Sequence, residues 1–144
     1  MLTPDQVLRA VAALEAAWGG NDEALAALAQ DVPGEQQLAV LIGEYGTLML
    51  ETMLLTVTGT RGLPEAQRKE AVGEFTGSLN GHVAELAAGF LRGWARNADS
   101  SVRAIGGLAR AVLQALLSFT TDGDERTELQ ALLDYLRADA LANS

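Results

Sequence analysis

One histidine, nineteen acids and no cysteine set the limits of any chemistry in this 144-residue chain. Without thiols there is no disulfide, no thiolate metal ligand and no cysteine nucleophile. His82 stands three residues before Glu85, so the two share one side of a helix. Di-iron carboxylate bundles use the opposite order, Glu-x-x-His, on two helices with further glutamates. A single histidine in the inverted order does not build that site. A mononuclear centre would have to combine His82 and Glu85 with Glu44 or Glu51; a hydrogen-bonded histidine at the edge of a core is the simpler expectation. Neither a metal nor a cofactor is expected.

Other reaction signatures fail on inventory. Asp122-Gly123-Asp124 begins like a calcium loop, but the later acids miss the twelve-residue pattern, and with Glu125 it reads as a helix cap. No Gly-x-Ser-x-Gly elbow occurs, and Gly19-Gly20 lacks the lysine and serine or threonine of a phosphate loop. The expectation is that the protein is not an enzyme.

Charge narrows the partners. The net charge of −9 opposes a grip on phosphate backbones, so nucleic acid is not expected. Residues 1–58 carry eight acids against the single base Arg9, residues 59–121 carry seven bases against five acids, and residues 122–144 carry six acids against two bases. An acidic first third and a basic middle can complement each other within a chain or between subunits. The first residues show neither a basic n-region nor an apolar h-region, so the expected location is cytoplasmic.

The elements that must position these residues are helices. Thr3-Pro4-Asp5-Gln6 is a capping box, with Leu2 stapled to Val7, and the helix runs to Gly19-Gly20. Asn21 caps a short helix carrying Leu25 and Leu28. A long apolar helix follows over about 35–58. Pro64 opens a stretch in which Val72, Phe75, Leu79, Val83, Leu86, Phe90 and Trp94 step by three and four, with Asn80-Gly81 as a kink or break. After a turn at Asn97–Ser100, a helix to about residue 120 carries Ile105, Leu108, Val112, Leu113 and Leu116. The last helix carries Leu129, Leu132, Leu133 and Leu136. No segment alternates with period two. The expected fold is all-α: one domain, residues 1–144, a compact bundle of six or seven mostly antiparallel helices.

Leu38–Val57 has the length of a membrane span. Glu44 and Glu51 inside it each cost at least ~2.5 kcal/mol at bilayer centre, and no flanking base supports insertion. Residues 38–57 are therefore expected at the centre of the bundle or at a subunit interface, with no membrane.

Gly73, Gly77 and Gly81, then Gly89 and Gly93, fall at four-residue spacing, with Glu85 in the slot between. In helix interiors each costs about 1 kcal/mol relative to alanine. Close approach of a second backbone is the usual compensation, at two local sites because the ridge winds around the helix. On that basis Gly77→Leu is expected to destabilise by more than ~2 kcal/mol through overpacking.

Glu44 and Glu51, seven apart on one helix, match Arg103 and Arg110, seven apart on another, and two Glu–Arg pairs would fix register and orientation. The function expected from all this is protein–protein association, centred on a symmetric homodimer, with another protein as a further partner. The interface candidates are Leu48, Met49, Met53 and Leu55, the Gly73/Gly77/Gly81 ridge, and Glu44, Glu51, Arg103 and Arg110. The alternative is a ligand-binding or sensor domain holding a small apolar molecule between helices, near His82, Phe90 and Trp94.

Overall fold

The computed structural model describes residues 2–30, 33–57, 63–99, 101–117 and 125–142, without the side chains of 54–57, 75–76, 79–80 and 125–129. Within them lie seven helices and no strand: α1 (Pro4–Trp18), α2 (Asp22–Leu28), α3 (Leu38–Val57), α4 (Glu65–Gly77), α5 (Leu79–Asn97), α6 (Val102–Leu117) and α7 (Glu125–Ala142). The chain is an all-α bundle.

Local signals place most ends. The Thr3 backbone N–H donates to Gln6 Oε1 at 2.9 Å and Gln6 N–H donates to Thr3 Oγ1 at 3.2 Å, closing the capping box of α1. Gly20 stops that helix by adopting φ +67°, a left-handed conformation that costs glycine nothing. Asn21 Oδ1 then accepts from Ala24 N–H at 3.1 Å and starts α2. The break between α4 and α5 falls two residues before Asn80-Gly81, because Ser78 Oγ accepts from Gly81 N–H at 3.1 Å and caps α5. α6 is capped by Ser101, whose Oγ accepts from Ala104 N–H at 3.2 Å. The hydroxyl and backbone N–H of Ser101 hold the Asp99 carboxyl below the usual range. The long third helix begins at Leu38 rather than near residue 35. The cap at Asp122–Asp124 lies outside the described residues.

α3 is the centre, packed against α1, α5 and α6. Two glycines outside the conspicuous four-residue row permit this. A Cβ at Gly43 would stand 2.6 Å from Ala95 Cβ of α5, and one at Gly46 would stand 2.8 Å from Val112 Cγ2 of α6. Those distances lie inside van der Waals contact, so only glycine allows the helices to approach so closely. Leu38, Leu41 and Ile42 are fully buried here, together with Leu108, Val112 and Leu116 of α6. The apolar girth of α3 and α6 is thus absorbed largely inside the chain. Thr47, also buried, donates from Oγ1 to Gly43 O at 2.9 Å and leaves no hydroxyl unpaired.

Candidate association surface

α5 has its large side chains on the wrong side for a core helix. At about 100° per residue, Ala84, Ala88, Leu91 and Ala95 share an arc of about 60°. Ala88, Leu91 and Ala95 of that arc are buried, with Ala95 against Gly43. Val83, Leu86, Phe90 and Trp94 share a second arc, about 130° away. They are 57%, 59%, 70% and 48% exposed. The close Gly43–Ala95 approach decides this orientation. A helix seated that near α3 must turn its small residues inward, and the large ones go outward. The apolar stripe from Val83 to Trp94 is therefore present and faces outward, away from the core.

Four large apolar residues in a line about 16 Å long form a contiguous patch rather than scattered exposure. Trp94 extends it onto α6, its Cζ2 3.9 Å from where a Gly107 Cβ would lie. Gly89 and Gly93 border the stripe with nothing within 4 Å in front of a Cβ. Glu85, Arg92 and Arg96 follow on the next arc; all three are exposed.

The ligand-pocket candidates lie on this same outer face. His82 is exposed, and with Glu85, Leu86, Gly89 and Phe90 it lines an open surface hollow whose described walls all belong to α5. Among the described residues, no three His, Asp or Glu side chains are grouped to hold a metal ion. No described helix is long and apolar enough to cross a membrane.

The other candidates separate into inside and outside. Met49 is buried and Met53 packs partly buried against the core, whereas Leu48 is 47% exposed. The Leu55 side chain lies outside the described residues. Gly81 is buried; Gly73 and Gly77 are exposed, with open space in front of a Cβ, so neither carries a helix crossing among the described residues. The overpacking expected for Gly77→Leu has no neighbour among the described residues to act through.

Glu44, Glu51, Arg103 and Arg110 do not pair with one another. The ion pairs among the described residues are Arg9–Glu35 and Arg137–Glu15. α3 and α6 do pack together, through Gly46 and Val112. Yet Gly46 lies nearly opposite the Glu44–Leu48–Glu51 row on α3, and Val112 nearly opposite the Arg103–Gly107–Arg110 row on α6. The two rows therefore look out from opposite sides of the helix pair.

No protein-family model, curated protein or solved structure matches the chain.

Proposed function

We propose that this protein is an association module that forms a homodimer through the outward apolar face of α5. One observation carries the reading: α5 buries its alanines and exposes Val83, Leu86, Phe90 and Trp94 in one stripe. An isolated chain keeps such a stripe in water at a cost of about 25 cal/mol for each Å² of apolar surface left uncovered. A second copy presents the same stripe, and closed twofold pairing is the commonest way that such a face is covered. Phe90 and Trp94 have the size and rigidity of interface anchors.

Light scattering over a concentration series tests it. The expected result is a mass rising toward twice the chain mass, and Phe90→Glu is expected to hold the protein at one chain with unchanged helical circular dichroism. A chain that stays monomeric at every concentration refutes the dimer. A dimer indifferent to Phe90→Glu refutes the surface.

A further inference from the structure

Resting on that reading, we infer that the two copies of α5 pair antiparallel, across a twofold axis passing between Ala88 and Gly89, with Glu85 of each copy against Arg92 of the other.

The charges select α5 and then its direction. In a twofold contact each face meets itself. The outward row on α3 would set half-buried Glu44 and exposed Glu51 against the same acids, and the row on α6 would set Arg103 and Arg110 against the same arginines. Like charges so juxtaposed repel. The flank of α5 carries both signs, and neither Glu85 nor Arg92 makes an ion pair among the described residues. With α5 parallel to its copy, opposite flanks face one another, so Glu85 and Arg92 meet the Val83–Trp94 flank and find no opposite charge. Antiparallel pairing reverses this. In antiparallel helices related by a twofold, a given flank faces the same flank of the copy, so residues whose numbers average 88.5 lie opposite one another. Glu85 then faces Arg92 twice.

The same register serves the apolar stripe. Val83 and Trp94, on the other flank, also average 88.5, so the smallest member of the stripe lies against the largest at both ends. Gly89 sits half a residue from the axis, and Gly93 lies along the same edge. The open space before both lets the second backbone come close.

Because the chain has no cysteine, introduced thiols report the pairing directly. Glu85→Cys and Arg92→Cys place a thiol at exposed positions and leave the apolar anchors intact. In the antiparallel dimer the two thiols of the Glu85→Cys variant stand about 10 Å apart along the helix axis, beyond the 4.4–6.8 Å Cα separation of a disulfide. The two thiols of Arg92→Cys are separated by the same amount in the other direction. Each variant alone, oxidised with copper phenanthroline, is expected to stay uncrosslinked, while an equimolar mixture yields a covalent dimer. Charge reversal provides the second arm at low salt. Glu85→Arg and Arg92→Glu are each expected to weaken dimerisation about tenfold, and Glu85→Arg/Arg92→Glu to restore it.

Crosslinking of either single variant with itself, or a double reversal no better than the singles, overturns the antiparallel pairing while leaving an α5 dimer standing. Wild-type protein that light scattering finds monomeric fails the underlying reading instead, so the two failures are distinguishable.

Discussion

Arg9 is the single base among the first 58 residues, and its guanidinium is committed to the fold. Nη2 donates to Leu28 O at 2.7 Å and Nε to the same carbonyl at 3.2 Å, at the C-terminus of α2 where carbonyls lack helical partners. Nη1 donates to Gln36 O at 3.2 Å and pairs with Glu35 at 3.4 Å, ahead of α3. One side chain thus ties α1, the end of α2 and the approach to α3. Arg9→Met keeps the aliphatic stem and removes those bonds. It is expected to cost about 2 kcal/mol, the scale of hydrogen bonds to a charged group. A lowered urea midpoint at constant m-value checks it. Composition marked Arg9 as unusual. Its partners lie 19 to 27 residues away and follow no helical spacing, so its role was not legible in the sequence.

Glycine shows how two elements with similar patterns part company. Gly43 and Gly46 lie inside the apolar run of α3, three apart and among large side chains, where they form no row of their own. In the conspicuous ridge, Gly73, Gly77, Gly89 and Gly93 face open space, whereas Gly81 is buried. Gly43→Ala is expected to destabilise by about 1–3 kcal/mol, because the new methyl lands on Ala95 and overpacking exceeds the helix-propensity gain. Gly73→Ala, in the exposed middle of α4, is expected to stabilise by up to about 1 kcal/mol. Chemical unfolding of the two variants reads the opposite signs. Spacing identifies a glycine row, but the depth of a crossing depends on which helix is brought against it.

For the molecule as a whole, α3 packs against three other helices, and Tyr45 lies buried on it near α7. Burial, then the charge of Asp139 and the neighbouring Tyr135, push the Tyr45 phenol well above its ordinary value. The folded chain holds this group neutral, whereas the unfolded chain ionises it near pH 10. Its contribution to stability is complete below about pH 10 and declines as pH rises beyond it. In Tyr135→Phe, which leaves Tyr45 as the single tyrosine, phenolate absorbance at 295 nm is expected to rise together with loss of helical circular dichroism. Phenolate appearing near pH 10 in a fully helical protein would show an accessible ring. Arg137 also secures the assembly, its guanidinium forking onto both oxygens of Glu15 and tying α7 to α1.

By itself the sequence determined the helical class and most of the helix ends. Capping side chains, left-handed glycine and periodic apolar residues act within a few positions of the chain. Tertiary structure decided which face of α5 is inside. Val83, Leu86, Phe90 and Trp94 make the more hydrophobic stripe, and by transfer energy alone they belong in the core. Close contact at Gly43 favoured the alanine stripe instead, a choice that depends on the shape of a neighbour about 50 residues earlier in the chain. Opposed placement of the acidic row on α3 and the basic row on α6 was decided in the same way. Matching spacing shows that two rows fit each other, and only the packed helices show which way each row points.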